Sequence, residues 1–274
     1  MRQMRAGEPM LRSGIRHQLG VTLIEMIVVI VVSGILISIT GMFVRNQVEA
    51  YVDVARRAEL SDIADGVLRR IARDVQGSVP NSLRPTSSDS SFIELVPIVN
   101  AGRFASQETA VLVSPLTLQG PAISVAANQE LVICNTGHAL ADLYAGNNRR
   151  ALSAGSSLTS LTFSGGALTD YCSSNRYQVI DKTVVYALEA ATRSLWRFSG
   201  CTVRNVQPTT IADLTTNCTV KAMAASNVAS ASFNFAANVL PSLGILTVRL
   251  VLSSVDAPGE RVTLLHQINV LNSP

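Results

Sequence analysis

Charge is scarce in this sequence: Lys, Arg, Asp and Glu make up 15% of its 274 residues. Aromatic residues are thinner still, at 5% with a single tryptophan. So few charges, with a mean hydropathy of +0.31, exclude a chain kept disordered by charge repulsion. The Ala, Val, Leu, Ser and Thr that fill the remainder suit a β-rich domain. Histidine occurs three times, as His17, His138 and His266, and these form no metal-ligand or catalytic-triad pattern in sequence. No phosphate-binding loop, dinucleotide-binding glycine motif or nucleophile elbow is visible. The runs SGG at 164–166 and APG at 257–259 are turn signals, and no calcium-loop spacing is present. No catalytic residue, metal ligand or cofactor is therefore assigned, and an enzyme is not expected. The basic pair Arg149–Arg150 is too short to argue for nucleic acid, and no nucleic-acid partner is expected.

Proline is absent from Val21 to Val79, so nothing in that stretch forces a helix to kink. Its first part, Gly20 to Val44, reads GVTLIEMIVVIVVSGILISITGMFV. Glu25 is the one charge before Arg45. A run this long can cross the hydrocarbon core of a bilayer as a helix, and a carboxylate inside such a run is costly unless paired or functional. The segment before it is polar and basic. It has no apolar core of its own, unlike a conventional secretory signal. Residues 1 to 20 hold four arginines and one glutamate, so their removal would take Lys+Arg from 22 to 18 and Asp+Glu from 19 to 18. The formal charge of +3 is thus a property of this segment, where arginines act as topology signals.

Beyond Arg45 the pattern turns amphipathic. Ile63, Val67, Ile71 and Val75 recur every four residues, with Leu60 and Leu68 beside them, and Val44, Val48 and Val52 form a similar row earlier. Asp53–Arg57, Asp65–Arg69 and Arg70–Asp74 have the spacing of helical surface pairs, so the charged face is expected to be solvated. One helix is expected from about Thr22 to Gln76, its first half in membrane or filament core and its second half against a sheet. Gly66 weakens it without forcing a break.

Strand patterns follow at 92–99, 109–113, 130–134, 157–163, 177–188, 194–199, 232–236, 245–253 and 261–271, with 177–188 and 194–199 expected as a hairpin. Tyr177, Tyr186, Trp196 and Phe198 are expected to pack the sheet. AGNNRR at 145–150 and SGG at 164–166 are expected as exposed loops, and 100–175 as a loop-rich region. A long helix followed by many strands is an α+β arrangement, the rear of the helix packed on antiparallel sheet. The cysteines, Cys134, Cys172, Cys201 and Cys218, all lie beyond the apolar run. Their even number suggests two disulfides in an oxidising compartment. Three pairings are open, and neighbour pairing is preferred.

The junction Gly20, Val21, Thr22, Leu23, Ile24, Glu25 resembles the class III leader of type IV pilin-like proteins, including the pseudopilins of type II secretion. In that family a glycine is followed by an apolar residue, often Phe, and then Thr-Leu-Ile-Glu. The resemblance implies the pilin fold and cleavage between Gly20 and Val21 by a prepilin peptidase. It also implies N-methylation of Val21 and a pairing of Glu25 with the N-terminal amine of a neighbouring subunit during assembly. The implied partners are other minor and major pilins, the inner-membrane assembly platform and membrane lipid. The implied location is a single pass through the bacterial inner membrane with a periplasmic C-terminal domain, and a pilus or pseudopilus after assembly. The resulting division is a leader at 1–20, a membrane or filament-core segment at 21–44, an amphipathic segment at 45–76 and a β-rich domain at 77–274. Within the family, EAYVDVARRAELSDIADGVLRRIARDVQGSVPNSLR and the ending HQINVLNSP resemble large minor pilins, among them those of mannose-sensitive haemagglutinin pili. The alternatives are a type II secretion pseudopilin and a tip-displayed adhesive or ligand-binding module hosted by 100–175.

Overall fold

The computed structural model describes residues 20–86, 90–237, 243–255 and 259–271. The expected helix is one continuous element, α1 (Leu23–Gln76). The chain divides into two compact units at Val54/Ala55. In the first unit α1 is solvent-exposed almost throughout. In the second, Leu60, Ala64, Val67, Leu68, Ile71 and Val75 are buried. Fully burying a Leu, Ile or Val contributes roughly 1.5–3 kcal/mol each, so this part of α1 is held by packing more than by helical propensity. Gly66 lies exposed, and the helix runs through it.

Short strands follow: β1 (Arg84–Pro85), β2 (Phe92–Leu95), β3 (Ile98–Phe104), β4 (Val111–Leu112), β5 (Leu116–Gln119) and β6 (Ile123–Val125). Next come β7 (Glu130–Val132), β8 (Arg149–Ala151), β9 (Gly155–Leu158), β10 (Ser160–Leu161), β11 (Leu168–Thr169) and β12 (Arg176–Ile180). The chain closes with β13 (Thr183–Glu189), β14 (Ser194–Cys201), a short helix α2 (Ile211–Asn217), β15 (Val220–Ala225), β16 (Val228–Ala237), β17 (Leu243–Ser253) and β18 (Arg261–Leu271). Three antiparallel sheets dominate, ordered β1-β2-β13-β14-β15, β10-β5-β3-β12-β7-β8 and β16-β17-β18. The buried stripe of α1 shares one core with Ile93, Leu95, Val184, Tyr186 and Leu195 of the first sheet and Phe233, Leu246, Val248 and Leu250 of the third. This is the α+β arrangement of a long N-terminal helix on antiparallel sheet, consistent with a pilin fold.

Two expected strands are each broken in two. The run at 92–99 divides at Val96–Pro97 and the run at 177–188 divides at Asp181–Lys182. In each case one half joins the first sheet and the other the second: β2 pairs with β13, and β3 with β12. The chain leaving α1 occupies the break. Val79 N–H donates to the Val96 carbonyl at 2.8 Å and Ile98 N–H to the Gly77 carbonyl at 2.9 Å. Pro97 has no N–H to keep the ladder continuous. The expected hairpin therefore forms from β13 and β14 only, in continuous register from Val184↔Ser199 to Glu189↔Ser194, with a shift between Thr183 and Val184.

The loop-rich reading of 100–175 is corrected. Strands β5, β6 and β8 lie within it, and AGNNRR contributes Asn148 at 1% exposure and the start of β8. Phe104, Leu116, Leu131, Ile133, Leu161, Tyr177 and Val179 give this region its own core. SGG at 164–166 is exposed loop. Cys134 is bonded to Cys172 beside that core, and Cys201 to Cys218 beside α2. Tyr177, Tyr186 and Phe198 are buried and Trp196 is half-buried. The turn with Pro258 and the ending Asn272 to Pro274 lie outside the described residues.

Candidate functional site

The residues that carry the family resemblance sit at the start of α1. The Thr22 hydroxyl accepts from the Glu25 N–H at 3.3 Å, and the Thr22 carbonyl from the Met26 N–H at 3.2 Å. Thr22 thereby caps the helix, satisfying one of the N–H groups left free at any helix start. Glu25 falls in the first turn, where the positive end of the helix dipole favours a carboxylate. Sequence reasoning missed this cap, although Thr-x-x-Glu is the spacing of a capping box. Gly20, Val21 and Glu25 are exposed.

From Val21 to Val44 every large apolar side chain is exposed, from 48% at Val32 to 78% at Leu23. A continuous apolar surface of this extent calls for a lipid or protein cover. At 1.5 Å per residue, Leu23 to Val44 spans about 33 Å, enough for the ~30 Å hydrocarbon core. Among the described residues α1 is the one helix long and apolar enough to cross a membrane. Gly34 and Gly41 have open space where a side chain would stand. The Ser38 hydroxyl donates to the Gly34 carbonyl at 2.9 Å, so it is satisfied within the helix. Small residues with internally satisfied hydroxyls permit close helix packing in an apolar medium.

Further along, the charged face departs from the expected solvated one. Asp65–Arg69 forms at 2.8 Å on the exposed side, as its spacing suggests. Arg57, however, donates to Glu260 just before β18, and Arg56 reaches the same carboxylate at 3.1 Å. Hydrogen bonds from Arg57, then Arg56, hold the Glu260 carboxyl below its usual range. Asp74 faces the first sheet, accepting from the Tyr186 hydroxyl at 2.8 Å and from Arg197 Nε at 2.7 Å. Burial, reinforced by the Asp74 charge, raises the Tyr186 phenol far above its usual range, so it stays a neutral donor. These contacts join long-range partners, which helical spacing cannot reveal.

A second polar cluster lies where β1 meets β2. Arg84 Nε bonds Glu94 at 2.8 Å, its other nitrogens donate to the Arg204 and Asn205 carbonyls at 2.7 Å, and its guanidinium lies 3.5 Å above the Tyr144 ring. Glu94 is 1% exposed. Burial raises its carboxyl above the usual range, against the opposing pull of Arg84. Arg204 in turn bonds Asp213 of α2 at 2.7 Å and lowers that carboxyl. Every member has a protein partner, and the cluster's role is to tie the 203–207 segment to the sheet.

His138 sits in a turn, its Nδ1 accepting from the Leu140 N–H at 3.4 Å. His266 is an exposed residue of β18, opposite Val248, while His17 lies outside the described residues. Cys134, Asp170 and Cys172 are close enough to suggest metal ligands, but both thiols are committed to their disulfide.

Residues 15–41 match the family model described as the prokaryotic N-terminal methylation motif. That match covers the leader end, the Gly20–Val21 junction, Glu25 and most of the apolar run. It supports a type IV pilin-like protein, pilin or pseudopilin, and a structural subunit in preference to an enzyme. It further implies processing by a prepilin peptidase, assembly with other pilins and a single-pass membrane anchor. No curated protein and no solved structure matches the chain.

Proposed function

We propose that this protein is a minor pilin, cut between Gly20 and Val21, N-methylated on Val21 and built into a type IV pilus as part of a tip or priming complex. The observation that carries the reading is the methylation motif at 15–41 running directly into an exposed, uninterrupted apolar helix. Before assembly the helix anchors the protein in the inner membrane, with the sheets in the periplasm. During assembly Glu25, capped at the first turn, meets the N-terminal amine of a neighbouring subunit. A carboxylate in hydrocarbon gains most when an ammonium partner relieves it, so the pairing selects one axial register. The apolar faces of neighbouring α1 helices then replace lipid. The resemblance of the 49–84 stretch to the MshO minor pilin supports a place in a pilus of the mannose-sensitive haemagglutinin kind.

Intact mass and N-terminal sequencing of protein from native membranes should give a chain beginning at N-methyl-Val21. An uncut chain, from cells whose processing peptidase is active, would sink the reading. Glu25→Ala should be processed normally yet fail to enter filaments, and normal incorporation would remove Glu25 from the mechanism. The motif is shared with type II secretion pseudopilins, so deletion of the gene discriminates: loss of surface pili is expected, whereas loss of secretion with pili intact assigns the pseudopilus.

A further inference from the structure

Two carboxylates are buried among the described residues, and their surroundings differ. Glu94 is 1% exposed and is bonded by Arg84. Asp170 is 5% exposed and makes no ion pair among the described residues. One of its oxygens accepts from the Cys172 N–H at 3.0 Å, and the other takes no hydrogen bond among the described residues. A carboxylate taken out of water without a positive partner is costly. The surroundings of Asp170 therefore point to a cation.

What stands beside Asp170 is a disulfide. A carboxylate oxygen of Asp170 and the sulfurs of Cys134 and Cys172 all lie within 4.8 Å of one another. The strands hold them there. Cys134 follows β7 and is 1% exposed. Asp170 follows β11, and its N–H donates to the Ala110 carbonyl at 2.9 Å. Two sulfurs and one oxygen are a zinc-type donor set, and three protein ligands leave the fourth tetrahedral position to water. Among the described residues Cys201 and Cys218 have no third donor at this range. Asp170 also lines an open polar pocket of ≈ 180 Å³ with Glu108, Thr109, Ser173 and Asn175, which gives an ion a path from solvent.

We propose that Cys134, Asp170 and Cys172 form a redox-gated zinc site, closed while the disulfide stands and opened when a dithiol reduces it. The dithiol gives two electrons and two protons to the S–S bond and leaves as its own disulfide. Zinc then displaces both thiol protons to solvent. The two thiolates and the Asp170 carboxylate bind the ion, with water as the fourth ligand. Thiolates on one tetrahedral zinc stand about 3.8 Å apart, a separation that rotation of the half-buried Cys172 side chain supplies. Calcium and magnesium are disfavoured, because they take oxygen donors. Zinc would cross-link the same 38-residue span as the disulfide, so the 134–172 segment stays tied in either redox state. The site belongs to the single chain and does not rest on filament assembly.

The test uses the full-length chain in detergent micelles, reduced with dithiothreitol, freed of it anaerobically and titrated with zinc chloride or, for spectroscopy, cobalt(II) chloride. The reduced chain should bind one zinc and release about two protons. Cobalt should give thiolate charge-transfer absorption and tetrahedral ligand-field bands, and the oxidised chain should give neither. Asp170→Asn should weaken zinc about tenfold or more. Cys134→Ser with Cys172→Ser should abolish binding. Cys201→Ser with Cys218→Ser should leave it in place, since reduction opens that bond as well. Zinc should raise the thermal midpoint of the reduced chain, and by less in Asp170→Asn, a response that thiols binding metal in an unfolded chain would not give. No zinc binding after reduction, binding indifferent to Asp170→Asn, binding that survives loss of Cys134 and Cys172, or binding lost with Cys201 and Cys218 would each overturn the assignment.

Discussion

Asp74 shows how much of α1's attachment rests on one side chain. It accepts from both Tyr186 and Arg197, whose side chain is 18% exposed. Asp74→Ala strands a buried hydroxyl and a largely buried guanidinium, and should cost about 3 kcal/mol in urea unfolding. A loss below ~1 kcal/mol would mean that the pair is solvated in the free protein. Glu260 and Asp213 have pKa values lowered by arginine hydrogen bonds. Their folded-state values lie below their unfolded ones, so their stabilisation is complete above the unfolded carboxylate range and is lost as pH falls through the folded values. The urea midpoint should therefore drop on acidification below about pH 4.5, and Glu260→Gln with Asp213→Asn should flatten the drop. Glu94 has the opposite sign: raised by burial, its contribution is full at low pH and declines as pH rises through its folded value. None of these partners is recognisable in sequence, because Asp74 and Arg197, or Arg57 and Glu260, are brought together by packing alone.

At the scale of elements, α1 was the most legible part of the chain. The proline-free apolar run and the four-residue spacing of Ile63, Val67, Ile71 and Val75 define a helix whatever it packs against. Gly66 is the weak point, exposed and with open space at its Cβ position. Gly66→Ala should raise stability by about 0.5–1 kcal/mol, seen as a higher thermal midpoint. A lower midpoint would mean that α1 is not a regular helix there. The strands were less legible. Alternation marks residues 92–99 and 177–188 as extended, but it carries no signal for which sheet each half joins. That choice is made at Val96–Pro97, where the exit of α1 pairs with the strand. The strands β5, β6 and β8 are only 4, 3 and 3 residues long, too short for alternation to mark them, and only their neighbours identify them.

For the molecule as a whole, two disulfides stabilise regions that local propensity does not. Cys134–Cys172 spans 38 residues and Cys201–Cys218 spans 17. By loop-closure entropy the first contributes about 4 kcal/mol and the second about 3 kcal/mol. Replacing Cys134 and Cys172 together by Ser should therefore lower urea stability more than replacing Cys201 and Cys218. The reverse order would show that strand packing already constrains 134–172 in the unfolded ensemble. The sequence by itself determined the long helix, its apolar and amphipathic halves, the family resemblance at Gly20 to Glu25 and the α+β class. Each of these depends on local order along the chain: residue type, spacing and charge within a few turns. Tertiary structure decided the rest: the splitting of two strands between sheets and the Asp74–Arg197 and Glu260 contacts. These depend on strand register and on segments tens to hundreds of residues apart, where sequence pattern conveys what each piece is but not what it will face.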